Sequence, residues 1–230
     1  MKKIMFNDKF GLTDLVLSGR KTQTRRIISL SEDDEQYLDT AFDWDLRESV
    51  IIDRYAHYKV GDVVAVAQKY FDLYHAYKPS ETAETFWRQN GSKGWANKMF
   101  VKAELMPHYI KITNIRVERL RDISDEDCLE EGIGTSGSIN LKYYFFVHGR
   151  VEDLVRCSTP REAFAKLIDK VSGNGTWNSN PYVFVYDFKF FRKEKDRWRQ
   201  IEAFCDDCFL RPCSFGPCDD LKEHLKSLES

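Results

Sequence analysis

Gly19-Arg20-Lys21-Thr22-Gln23-Thr24-Arg25-Arg26 is the stretch on which the reading of the fold turns. Four of its eight residues are cationic, and six can contact an anion. The chain of 230 residues has a formal net charge of −2, so this cluster is a local choice and not a bulk property. Upstream, Phe10, Leu12, Leu15, Val16 and Leu17 predict a short amphipathic helix over residues 9–18, closed by Gly19. The basic run thus begins where the chain leaves a helix, a place suited to holding phosphate or a nucleotide.

The bulk numbers bound what that run can serve. Hydrophobic residues make up 42% and charged residues 31%, mixed in sign, which is a globular and not a disordered composition. The length suffices for one good core and a small appendage. A near-neutral balance excludes blanket electrostatic attraction to DNA, so nucleic-acid contact must come from a local patch. No apolar run reaches bilayer length, and Met1 to Asn7 lacks the apolar stretch of a signal peptide. The expectation is a cytoplasmic protein with no membrane partner.

Further along, residues 31–57 read as an acidic, aromatic insertion with some helix. Tyr58-Lys59-Val60-Gly61-Asp62 reads as a turn into a strand from Val63 to Tyr70. Residues 71–105 form a second, irregular insertion. Tyr70 and, within this insertion, Phe71, Tyr74, Tyr77, Phe86, Trp87 and Trp95 are mostly core, with one Trp or Tyr of the insertion expected to line a cleft, where stacking on a base contributes roughly 1–3 kcal/mol. Tyr109 to Leu120 alternates as a long strand. Ser124 begins a helix that Gly132 stops, with Asp127 completing a capping pattern. Residues 133–159 read as loop around a Tyr143–Phe146 strand. Pro160 opens a helix to about Val171, Trp177 to Pro181 makes a turn, and Tyr182 to Phe191 is a last strand. A boundary at 191/192 separates a domain over 1–191 from a helix and tail over 192–230. Strands and short helices without a regular βαβ rhythm predict an α+β fold built on a small mixed β-barrel with flanking helices.

The basic motif, the apolar helix before it and Val60-Gly61-Asp62-Val63 after it resemble the ASCH domain family, which has a PUA-like β-barrel, and within it the proteins common in phages and prophages. Met106-Pro107, Ile112 to Ile123, and Trp177 with Asn180-Pro181 agree with it, so the resemblance covers roughly residues 4–190. It breaks at Ala67-Gln68, where family members carry Arg-Glu. The resemblance implies a cleft that takes RNA or a modified nucleoside. One branch of the family hydrolyses N4-acetylcytidine, and its lysine, threonine and glutamate fall here on Lys21, Thr24 and Glu131. Another branch is a ribonuclease, and PUA-like domains also bind RNA without chemistry.

These residue types can do that hydrolysis. Thr24 offers a hydroxyl nucleophile. Lys21 can take its proton only when neutral, below the usual value of ~10.4, and Arg20, Arg25 and Arg26 beside it push that way. Glu131 could protonate the departing amine, although a close arginine would oppose that role. No cofactor is called for. Against this stand a passive phosphate site made of Arg20, Lys21, Thr22, Arg25 and Arg26, and a Glu131 that is only a solvated helix end. Hydrolase, ribonuclease and non-enzymatic RNA-binding module all stay open.

Cys205, Cys208, Cys213 and Cys218 have the spacing C-x2-C-x4-C-x4-C, that of a zinc knuckle with cysteine in place of histidine, and favour a structural zinc over an iron–sulfur cluster, a disulfide or four free thiols. Asp206, Asp207, Asp219 and Asp220 flank it, so this zinc-knuckle-like tail would repel phosphate and suits a protein partner. Cys128 reads as a core residue.

Overall fold

A computed structural model describes residues 1–40, 43–77, 93–136, 142–147 and 150–192. The four tail cysteines, and with them the zinc expectation, lie outside the described residues. The chain divides into two compact units, one of residues 1–67 and 108–191, the other of residues 68–107 and 192–230.

The first unit is α+β, as expected. Its main sheet has the order β1-β3-β4-β8-β2, made of β1 (Lys3–Ile4), β2 (Gln23–Ile27), β3 (Val63–Val66), β4 (His108–Arg119) and β8 (Tyr182–Arg192). β8 runs between β4 and β2, and its Val183, Phe184, Val185 and Tyr186 are all buried, so both of its faces are covered. β4 changes face along its length. Ile110 and Ile112 are buried, Thr113 and Asn114 are exposed, and Ile115 and Val117 are buried again. Among the described residues no ladder joins the edge strands β1 and β2, so the expected closed barrel is not found. Side chains link them instead: Arg26 Nη2 on β2 donates to the Met5 carbonyl just past β1 at 2.7 Å. The Phe6 ring lies 5.9 Å from that of Phe188 on β8. The two edges of the sheet thus approach each other at Arg26 and Met5.

Helices surround it. α1 (Leu12–Leu17) ends at Ser18 and Gly19, whose φ of 73° is the left-handed turn-off that glycine takes readily. The first insertion holds α2 (Glu32–Asp39) and α3 (Trp44–Tyr55). Arg54 and Tyr55 of α3 both reach the Asp34 carboxylate of α2. α6 (Asp125–Glu130) starts as read, with Ser124 Oγ accepting from the Asp127 amide at 3.0 Å. α7 (Pro160–Ser172) buries Ala163, Phe164, Leu167 and Ile168, spaced along one face.

Four expectations are corrected. The strand read from Val63 stops at Val66, and Tyr70 opens helix α4 (Tyr70–Tyr77). Residues 133–159 are not mainly loop. They form a second sheet of β5 (Gly134–Thr135), β6 (Tyr143–Val147) and β7 (Arg150–Cys157), all antiparallel. The charges at Arg150, Glu152, Asp153 and Arg156 disguise this strand in the sequence. Trp177 lies in a one-turn helix, α8 (Thr176–Ser179), followed by Asn180 at φ 49°. From Gln23 on, the basic run is itself a strand, β2.

The described part of the second unit holds α4 and α5 (Lys93–Ala96), with a short turn at Lys98–Phe100 and another at Ala103–Leu105. Among the described residues no helix is long and apolar enough to cross a membrane.

Candidate functional site

β2 pairs with β8 in the register Gln23↔Asp187, Thr24↔Tyr186, Arg25↔Val185. Strand alternation sends Gln23 and Arg25 to one face and Thr24 and Arg26 to the other. Just before the strand, backbone bonds fix Lys21: its amide donates to the Leu15 carbonyl, and that of Thr22 to the Glu130 carbonyl, each at 3.0 Å. Gly132 permits this approach. Its φ is 104°, and a Cβ there would sit 2.8 Å from Leu15 Cδ1 and 3.7 Å from Lys21 Cβ.

Lys21 is 1% exposed and Glu131 5%. Lys21 Nζ donates to the Glu131 carbonyl at 2.8 Å and to Glu131 Oε2. Arg25 Nη1 donates to Glu131 Oε1 at 3.3 Å. Both oxygens of the carboxylate are therefore engaged by cations from the basic run. The expectation of a solvated helix-end glutamate is overturned: Glu131 caps the C-terminus of α6 and turns inward.

The pair opens into a wider ionic network. Arg25 Nε donates to Glu118 Oε1 and Arg25 Nη2 to Asp127 Oδ2, each at 2.8 Å. Arg116 of β4 pairs with Asp127 and with Glu118 and Asp187. Gln23 Nε2 donates to Asp187 Oδ1 at 2.7 Å and to Asp127 Oδ1 and Glu130 Oε2 at 3.2 Å. Three cations (Lys21, Arg25, Arg116) thus face five carboxylates (Glu118, Asp127, Glu130, Glu131, Asp187). Sequence reasoning missed Gln23, Arg116, Glu118, Asp127 and Asp187. The available signal was a charge set inside an otherwise apolar strand, as at Asp187 between Tyr186 and Phe188, which burial obliges to find a partner.

The electrostatics follow from this packing. Lys21 is held below the ordinary lysine value, first by burial, with Arg26 and Arg25 adding to the effect and Glu131 opposing it. Arg20 is exposed, with its Nε donating to Ser18 Oγ at 3.3 Å, so burial and not that neighbour carries the shift. Burial raises Asp127, but hydrogen bonds and charge from Arg25, Arg116 and Gln23 outweigh it and leave its carboxyl below the usual range. Glu130 lies above that range, through burial and then the charges of Asp127 and Asp187. Cys128, buried as expected, has its thiol pushed up to about 12 by burial.

Thr24 stands apart. It is 4% exposed, and among the described residues its hydroxyl makes no hydrogen bond. No fully buried polar side-chain atom lacks a partner, so the small exposed part of Thr24 includes Oγ1. A nearly buried hydroxyl with no hydrogen bond among the described residues is what remains. Around its face of β2 lie Arg26, with Cζ 5.6 Å from the centre of the Phe6 ring, and Tyr186 and Tyr58, whose rings meet edge-on at 5.3 Å. Lys21 Nζ is 6.0 Å from the same Phe6 ring. Thr22 is half-buried. No hydrogen bond joins Lys21 to Thr24. Among the described residues no group of three or more His, Cys, Asp or Glu side chains is arranged to hold a metal ion.

Comparison of the chain with protein-family models, with curated proteins and with solved structures finds no match in any of the three.

Proposed function

We propose that the first unit is a PUA-like, ASCH-type domain that binds a modified nucleoside beside Thr24 and hydrolyses an acylated cytosine amine. The sheet, whose two edges approach each other at Arg26 and Met5, suits such a barrel. One observation carries the reading. Lys21 and Glu131, 110 residues apart in the chain, meet as a buried pair, and Thr24, three residues on from Lys21, keeps a hydroxyl unbonded among the described residues. Thr24 Oγ1 attacks the acyl carbonyl as its proton passes to a neutral Lys21. The bond to the cytosine amine breaks, the amine takes up a proton, and water then releases the acyl group from Thr24. Burial of Lys21 favours the neutral form this needs. Glu131, an acceptor at both oxygens, is better built to hold Lys21 in place than to donate a proton.

The ionic network bears on which guest is taken. With five carboxylates against three cations, the face of β2 that carries Gln23 and Arg25 opposes a polyanion, which favours a nucleoside over an RNA backbone there. The test is turnover of N4-acetylcytidine by the wild type and by Thr24→Ala. Turnover lost in Thr24→Ala with binding kept supports the hydrolase. Binding of the nucleoside without turnover in the wild type leaves a binding module, and cleavage of RNA that Lys21→Ala abolishes makes it a nuclease.

We propose separately, on cysteine spacing alone, that the tail binds one structural zinc through Cys205, Cys208, Cys213 and Cys218. Metal analysis of the purified protein decides it, and less than about half an equivalent sinks it.

A further inference from the structure

The second unit carries a different cation-rich segment, Lys93-Gly94-Trp95-Ala96-Asn97-Lys98-Met99-Phe100-Val101-Lys102. It has three lysines and no acid in a chain whose net charge is −2. The segment is firmly seated. A Cβ on Gly94 would lie 2.5 Å from the Tyr70 ring, so the glycine backbone rests flat against that ring. Tyr70 Oη accepts from the Lys102 amide at 2.9 Å, and the Phe71 and Trp95 rings meet edge-on at 5.6 Å. Asn97 Oδ1 accepts from the Met99 amide at 2.9 Å and caps the turn that follows. That turn points outward: Met99 is 56% and Phe100 51% exposed. Lys93 Nζ lies 5.5 Å from the centre of the Phe100 ring. Among the described residues neither Lys93 nor Lys102 pairs with a carboxylate, and both are exposed.

We propose that this strip is a contact surface for single-stranded nucleic acid, with Phe100 stacking on a base and Lys93 and Lys102 reaching the phosphates on either side. A held turn that exposes an aromatic ring, in a segment with two ammonium groups that pair with no carboxylate among the described residues, matches such a strand in both of its chemistries, the flat base and the repeating negative charge. An acidic peptide would meet the charges but gives the ring nothing flat to stack on. The proposal goes beyond the nucleoside reading and does not depend on Thr24.

The experiment measures binding of a fluorescent oligouridylate of about twelve nucleotides to the full chain across a series of salt concentrations. Phe100→Ala weakens binding by roughly tenfold. Lys93→Gln and Lys102→Gln each flatten the dependence of log affinity on log salt by about 0.7. All three side chains are exposed, so unchanged thermal unfolding of the variants is the fold control. Thr24→Ala leaves oligonucleotide affinity as in the wild type, which separates this surface from the nucleoside site. Unchanged affinity in Phe100→Ala together with an unchanged salt slope in both lysine variants overturns the proposal. So does concentration-dependent self-association that Phe100→Ala abolishes, since that assigns the strip to a second copy of the chain.

Discussion

Two segments of this protein look alike in composition and differ in what their charges meet. In residues 20–26 Lys21 and Arg25 are turned inward, and every polar atom at their tips is taken by a carboxylate or a carbonyl. In residues 93–102 Lys93 and Lys102 are exposed, and Lys93 lies beside an exposed ring. A run of basic residues therefore does not by itself make an anion site. Partner and burial decide whether its charge is consumed within the fold or offered to a ligand.

The largest break in this comparison comes from removing a consumed charge. Arg25→Met leaves Glu118, Asp127 and Glu131 facing each other with one guanidinium fewer, and costs about 3–5 kcal/mol of stability in urea denaturation. Lys93→Met stays within about 0.5 kcal/mol of the wild type. Equal effects from the two would mean that the inner network is not sealed from water.

Lys21 sharpens the same contrast. Lys21→Met alone strands the buried Glu131 carboxylate, with a loss of about 3 kcal/mol. Replacing both partners, in Lys21→Met with Glu131→Leu, recovers most of that, because neither charge is then left alone in the interior. A double variant as unstable as the single one would show that the pair does not act as a unit.

The pH dependence carries the sign of the Lys21 shift. In the folded state Lys21 binds its proton more weakly than an unfolded lysine at 10.5. Between the lowered folded value and 10.5 the unfolded chain holds more protons, so stability rises with pH through that interval. The Lys21→Met, Glu131→Leu double variant lacks this rise. At higher pH the sign reverses: Tyr58, pushed up from 10.0 to about 12 by burial, keeps its proton in the folded state after an unfolded tyrosine has lost it. That contribution falls away as pH climbs through this interval. Urea midpoints taken at a series of pH values separate the two.

Elements whose apolar residues follow a period were legible from the sequence. Pro160 and the helix after it, Ser124 as a cap, and the aromatic and β-branched run from Tyr182 all stand where they were read. β2 was not legible, because Gln23 and Arg25 occupy inward positions that usually read as apolar. A strand that faces an ionic network has no hydrophobic alternation to detect. Lys21, Thr24 and Glu131 were named from a motif and a resemblance. The residues that surround them, Arg116, Glu118, Asp127 and Asp187, come from three other elements, and only the pairing of β4, β8 and β2 brings them together. The β5–β7 sheet escaped for a similar reason, since its third strand, with Glu152-Asp153 and Leu154-Val155 side by side, shows no hydrophobic alternation.

The smallest expected effect tests the sharpest distinction within β2 itself. Thr24 and Arg25 are neighbours, both under a tenth exposed, yet one makes no side-chain hydrogen bond among the described residues and the other makes several. Thr24→Val keeps the β-branched shape and removes only the hydroxyl. With no protein partner to strand, the change stays within about 0.5 kcal/mol of the wild type. A loss above about 1 kcal/mol, the usual worth of a hydrogen bond, would mean that the hydroxyl is bonded within the fold and not held ready for a guest. The stability of this one variant thus bears on Thr24 as a nucleophile before any substrate is tried, since a hydroxyl that the fold already uses is not free to attack.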